Sequence, residues 1–180
     1  MNSREQYVPA AAFGAEVQKD GDNWTLVLVR DLRHSPAKVW QALTDPEQLR
    51  EWAPFDADRN LGTVGTANLS AVGSPTPFVA ETRIKRADAY KALEFNWGGK
   101  DIRWELEPNG SGTRLTLWHN IGRGYIAMGA AGWHICFDVL DRHLAGEPIG
   151  RLVGPDAMKF DGWQRLTAEY SKQFGAGTPQ

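Results

Sequence analysis

A chain of 180 residues can bury one sizeable core and reads as a single domain with appended segments. Its 20 Lys and Arg against 22 Asp and Glu leave a formal charge of -2 with no basic block, which argues against nucleic acid as the main partner. Cys136 is the only cysteine, so no disulfide framework is expected; no apolar run is long enough to span a bilayer, and residues 1–12 carry no signal-peptide core. The expected setting is the cytoplasm, with no membrane as partner.

Residues 1–12 are expected to form a flexible tail. Phe13 to Gln18 and Trp24 to Leu32 flank Lys19-Asp20-Gly21-Asp22 and read as a hairpin turned at Asp-Gly. Ser35-Pro36 and Asp45-Pro46 each place a side-chain oxygen before a proline, the start signal of a helix. Val39, Trp40 and Leu43 give the first helix an apolar face. Leu49 and Trp52 give one to the second, and Pro54 stops it. Both helices are short and read as lids or plugs rather than core spans.

From about Leu61 to Ile121 the pattern changes to period two. Phe78, Ala80, Thr82 and Ile84 alternate with more polar neighbours, as do Leu93, Phe95 and Trp97; then Ile102, Trp104 and Leu106; then Leu115, Leu117, His119 and Ile121. One wet and one dry face predict an antiparallel sheet packed on one side, with Trp118 on the outer face. Gly98-Gly99 and Asn109-Gly110-Ser111-Gly112 supply turns. Met128 to Leu144 predicts a long helix with a wide apolar arc, ended by Gly146 and Pro148. A last helix is predicted over about 161–174, from Trp163, Leu166, Tyr170 and Phe174 at helical spacing. Asp161 and Gln164 form a candidate capping box.

The fold class is α+β: residues 1–12 a tail, 13–146 the main domain, and 147–180 a C-terminal extension. Strand, two small helices, a meander of strands and one long helix resemble the helix-grip fold of the START-like (SRPBCC) superfamily. The residues that carry the likeness are Ser35 to Glu47 with Leu49 and Trp52, Trp97-Gly98-Gly99, Trp104-Glu105-Leu106, Gly112 to Leu117 with His119, and Gly132-Trp133-His134. Trp163, Tyr170 and Phe174 fit the terminal helix. Over about residues 13–175 the chain resembles the bacterial family named after the activator of the ninety-kilodalton heat-shock chaperone's ATPase. The resemblance implies a seven-stranded antiparallel sheet gripping the long helix, around a deep cavity that opens near the two small helices. It also implies carriage of lipids, polyketides, hormones or aromatic compounds, with a chaperone as a second class of partner.

Alternation puts Phe95, Trp97, Trp104, Leu117 and His119 on the helix-facing side of the sheet, and Trp133 and Phe137 answer from the helix. Trp52, Phe55 and Phe78 are placed at the entrance, and His134 beside Trp133 at the helix start. These residues are the expected ligand-binding set, because a small-molecule site is usually an apolar cavity with a few convergent polar groups. Gly132 is expected to let the helix start close to the sheet, and Arg123 stands at the rim. No catalytic residue, metal ligand or cofactor is assigned. Cys136 lies about 200° round the helix from His134, so the two form no attacking dyad. His134 and Asp138, spaced i, i+4, read as a helix-surface pair, and no paired His or Cys complete a metal site.

The expected function is therefore binding of a small hydrophobic or aromatic molecule. A chaperone-associated regulator and a hydrolase, cyclase or lyase using His119 or His134 remain alternatives. With no catalytic constellation the chain reads as a binding protein rather than an enzyme, and a homodimer is a further candidate assembly.

Overall fold

The computed structural model describes residues 4–73 and 78–175. Strands β1 (Ala15–Asp20) and β2 (Asn23–Leu32) form the first hairpin, and two helices follow, α1 (Pro36–Thr44) and α2 (Pro46–Trp52). The Ser35 hydroxyl accepts the Lys38 N–H at 3.3 Å, and the Asp45 carboxylate accepts the Glu47 N–H at 3.0 Å. Each helix thus begins where a cap precedes a proline.

Seven strands come next: β3 (Phe55–Ala57), β4 (Gly65–Ala71), β5 (Val79–Ile84), β6 (Arg86–Asp88), β7 (Ala92–Trp97), β8 (Lys100–Asn109) and β9 (Gly112–Asn120). A 3-10 turn at Arg123–Tyr125 leads into α3 (Ile126–Leu144), followed by α4 (Gly154–Met158) and α5 (Asp161–Phe174). Among the described residues no helix is long and apolar enough to cross a membrane.

The strands form two antiparallel sheets, not one of seven. Six take the order β1-β2-β9-β8-β7-β6, and three take the order β3-β4-β5. Only Lys85 separates β5 from β6. Its N–H donates to the Glu94 carbonyl at 2.8 Å, and the Thr82 hydroxyl accepts the Asn96 N–H at 3.0 Å, so the small sheet hangs on β7. In the large sheet the register lines up Leu26, His119, Ile102 and Phe95 in one row, and Leu28, Leu117, Trp104 and Leu93 in the next. Antiparallel partners share a face, so both rows meet α3 and all eight side chains are buried. Trp118 faces the other way, with the Arg103 guanidinium 4.0 Å from its ring centroid.

The interior where the resemblance implies a deep cavity is packed with rings. Trp104 meets Trp52 edge-on at 6.0 Å and Trp133 at 5.5 Å, and lies 5.9 Å from Phe137; Phe55 meets Phe95 at 5.8 Å. Such tilted and edge-to-face pairs suit the aromatic quadrupole. The Trp52 indole, fully buried, donates to the Ala42 carbonyl at 2.9 Å. Trp52 and Phe55 are therefore core residues, not guards of an entrance.

Two local expectations are corrected at the termini. Within the expected tail, Tyr7 and Pro9 are buried: Tyr7 is 4% exposed, stacks on Phe160 at 5.8 Å, and donates a hydrogen bond from its hydroxyl to Asp138. The Asp161–Gln164 capping box does not form. Phe160 occupies the N-cap position and Asp161 is already helical, while the Gln164 amide donates to the Met158 carbonyl at 3.4 Å.

Candidate ligand cavity

A cavity of about 210 Å³ remains at one end of the sheet–helix interface. Trp97 and His119 border it from the ends of β7 and β9. Gly129, Gly132, Trp133 and Cys136 border it along α3, a spacing of i, i+3, i+4 and i+7 that keeps all four on one stripe. The remaining walls come from Pro54 and from the C-terminal extension, through Leu152, Val153, Gly154, Ala157, Met158 and Trp163. Among the described residues no carboxylate borders the cavity.

Two glycines of α3 stand in different surroundings. A Cβ on Gly129 would meet Ile121 Cδ1 at 2.5 Å, a contact that the flexible end of that side chain can relieve by shifting. A Cβ on Gly132 would meet nothing within 4 Å among the described residues. The expectation that Gly132 permits tight packing is thus reversed: its missing side chain is cavity space. The residue also lies two turns into α3, not at its start.

His119 is the chief polar feature of the wall and is 7% exposed. The Trp133 indole donates to its Nδ1 at 2.9 Å. An indole nitrogen can only donate, so Nδ1 must accept, and the neutral ring carries its proton on Nε2. Burial, and secondarily the Lys100 ammonium, push the His119 pKa down to about 4. At neutral pH the ring is an uncharged N–H donor with its lone pair already occupied. Trp97 stacks on it at 6.1 Å. Beyond these two rings lies a second, more open crevice of about 320 Å³, bordered also by Lys100, Asn120, Ile121 and Tyr125.

His134 is elsewhere. Neighbours on a helix point about 100° apart, so while Trp133 faces the sheet, His134 turns towards α5. It is fully buried, with Nδ1 2.7 Å from the Tyr170 hydroxyl, Nε2 3.6 Å from Asp138, and Phe13 edge-on at 5.3 Å. The His134–Asp138 pair is interior, not a helix-surface contact. Asp138 also accepts from Arg30 Nη1 at 2.6 Å and from Tyr7. This cluster ties the N-terminal segment and α5 to α3.

Of the expected site residues, the structure gathers Trp97, His119 and Trp133 at the cavity. Trp52, Phe55, Phe95, Trp104, Leu117 and Phe137 are packed core and do not border it. Phe78 is 55% exposed before the small sheet and does not border it either. The residues that sequence reasoning missed are the void at Gly132, the wall at Cys136, and the whole C-terminal roof. Cys136 is 3% exposed, and burial pushes its thiol up to about 12, so it is a buried hydrophobe and a poor nucleophile.

The model of the family described as Activator of Hsp90 ATPase homolog 1-like protein matches residues 33–145. No curated protein matches the chain. Among solved structures, a conserved protein of unknown function from Enterococcus faecalis has a TM-score of 0.67 at 17% identity, over 88% of this chain and 89% of that one. CalU16 from Micromonospora echinospora has a TM-score of 0.61 at 21% identity, over 94% and 98%. An AHSA1-like protein from Aeromonas hydrophila has a TM-score of 0.56 at 17% identity, over 68% and 92%. These likenesses establish the fold. The family match ends at residue 145, so the roof of the cavity lies outside it.

Proposed function

This chain belongs to the family of Activator of Hsp90 ATPase homolog 1-like proteins, and we propose that it binds a small, largely apolar or aromatic molecule, without turning it over, in the cavity roofed by its C-terminal extension. The observation that carries this reading is the wall itself: aromatic and aliphatic groups, a helix glycine that leaves space, and one histidine N–H held in a defined tautomer. That is the usual form of a small-molecule site.

The same observations weigh against catalysis by the two histidines. His119 has no lone pair free to take a proton, because the Trp133 indole occupies it. His134 is buried on another side of α3 and does not border the cavity. A naphthalene-sized body burying roughly 200 Å² would gain about 5 kcal/mol before the losses of association, so such fragments should bind weakly and the natural ligand should use further contacts. The proposed setting is the cytoplasm, where the single thiol stays reduced.

The test is nitrogen-15 NMR of the indole N–H groups, titrated with 2-naphthalenemethanol. The Trp97, Trp133 and Trp163 signals should shift with a common affinity, while Trp118 on the outer face and Trp40 on α1 stay put. Shifts confined to Trp118 and Trp40, or no shift at all, would overturn the reading.

A further inference from the structure

We propose that the molecule held here is a carboxylic acid, its apolar body under α4 and its anionic end in the neighbouring crevice against the Lys100 ammonium. The assignment rests on the cavity reading above and adds the chemical class of the ligand.

Cavity and crevice share the boundary formed by Trp97 and His119. Their volumes together fall within the roughly 300–1,000 Å³ usual for small-molecule sites. Lys100 is the one charged residue bordering either space among the described residues, and no carboxylate borders them. Cross-strand pairing sets Lys100 opposite Trp97 at the β7–β8 turn, which places its side chain on the face that carries Trp97.

Neighbouring basic residues of the sheet have acidic partners. Lys85 pairs with Asp101 at 3.1 Å, Arg114 with Asp31 at 2.9 Å, and Arg103 with Glu105 at 3.6 Å. Lys100 makes no ion pair among the described residues. Its charge is nevertheless felt inside, since it helps to hold His119 neutral.

The Nε2–H of His119, nine-tenths buried as part of that ring, has no acceptor among the described residues. An ammonium and an imidazole N–H beside an apolar cavity complement a ligand with one negative end. They would repel a cation and give a neutral alcohol no Coulombic gain. The adjoining low-dielectric wall strengthens the attraction relative to open water.

Calorimetric titration of the full chain at low salt, with naphthalene-2-carboxylate and with 2-naphthalenemethanol, tests this. The acid should bind about ten-fold tighter, and the preference should shrink in ~0.5 M salt as screening sets in. Lys100→Met, at an exposed position, should lower the affinity for the acid about ten-fold and leave that for the alcohol unchanged. Gly132→Leu should abolish both, with circular dichroism confirming the fold of each variant.

Equal binding of acid and alcohol, or an acid preference untouched by Lys100→Met, overturns the carboxylate assignment; the cavity reading then stands if Gly132→Leu still abolishes binding. Binding indifferent to Gly132→Leu, or no binding of either compound, overturns the cavity reading and this assignment with it.

Discussion

Asp138→Asn is expected to destabilise the protein by roughly 3–5 kcal/mol, the range seen when one partner of a buried ion pair is removed. Asp138 is the single ion-pair partner of the Arg30 guanidinium among the described residues, at 2.6 Å, and the Arg30 side chain is only 10% exposed. Nε and Nη2 of that guanidinium make no hydrogen bond among the described residues. Its other neighbours are ring faces, Phe13 at 4.6 Å and Phe137 at 5.7 Å. Cation–π attraction offsets part of the desolvation but does not replace a carboxylate.

The asparagine variant would therefore leave a buried charge unpaired and strip Tyr7 of an anionic acceptor. Burial, reinforced by Asp138, already holds the Tyr7 hydroxyl well above the ordinary phenol range. The double variant Arg30→Met with Asp138→Leu should recover part of the loss, because both desolvation penalties vanish together while the Tyr7 hydroxyl still lacks its acceptor. Urea unfolding monitored by circular dichroism measures both. A cost below about 1 kcal/mol for Asp138→Asn would show that Asp138 does not hold this cluster together.

Stability is also expected to fall as the pH drops from about 6.5 to about 4, and the two buried histidines are the cause. Each has a folded pKa of about 4, below the ordinary value near 6.5. The unfolded chain therefore binds their protons first. The stability tied to the neutral rings is fully present above about 6.5 and is lost as the pH falls to the folded value, roughly 3 kcal/mol for each.

For His119 burial leads and Lys100 adds to it. For His134 burial also leads; Arg30 and Arg165 work in the same direction, against Asp138 and Glu169. Asp31 and Asp101 are held below the usual carboxylate range by hydrogen bonds to Arg114 and Lys85, so they titrate under this window. Urea unfolding at pH 7, 5.5 and 4.5 should show the slope in the parent, about half of it in His119→Gln or His134→Gln, and little in the double variant. An unchanged slope in the double variant would remove the histidines as its source.

The sheet was legible because side-chain direction in a strand follows strict alternation. Trp118 and His119 differ by one position and fall on opposite faces, as their parity requires. The N-caps of α1 and α2 were legible because a capping oxygen before proline is a local signal. What escaped depends on distant partners.

The apolar arc of α3 is wide because the sheet covers one side while α5 and the N-terminal segment cover another. Trp133 and His134 consequently look alike in sequence but meet different neighbours. Phe78 alternates as Phe95 does, yet it precedes a strand of the small sheet and stays exposed. A void leaves no periodic trace, so Gly129 and Gly132 are indistinguishable until Ile121 is seen against one and nothing against the other. The roof comes from residues 152–163, whose non-helical start and five-residue α4 carry no repeating pattern.

Gly132 offers the most direct test of the claim that this space exists to hold a small molecule. A glycine in a helix interior costs about 1 kcal/mol relative to alanine, and here no neighbour among the described residues requires the missing Cβ. Gly132→Leu should fill the cavity, raise the melting temperature by about 2–4 °C if that 1 kcal/mol is recovered, and abolish binding of 2-naphthalenemethanol in calorimetric titration. A variant that melts higher yet binds with unchanged affinity would contradict the account, since the molecule would then be bound somewhere else.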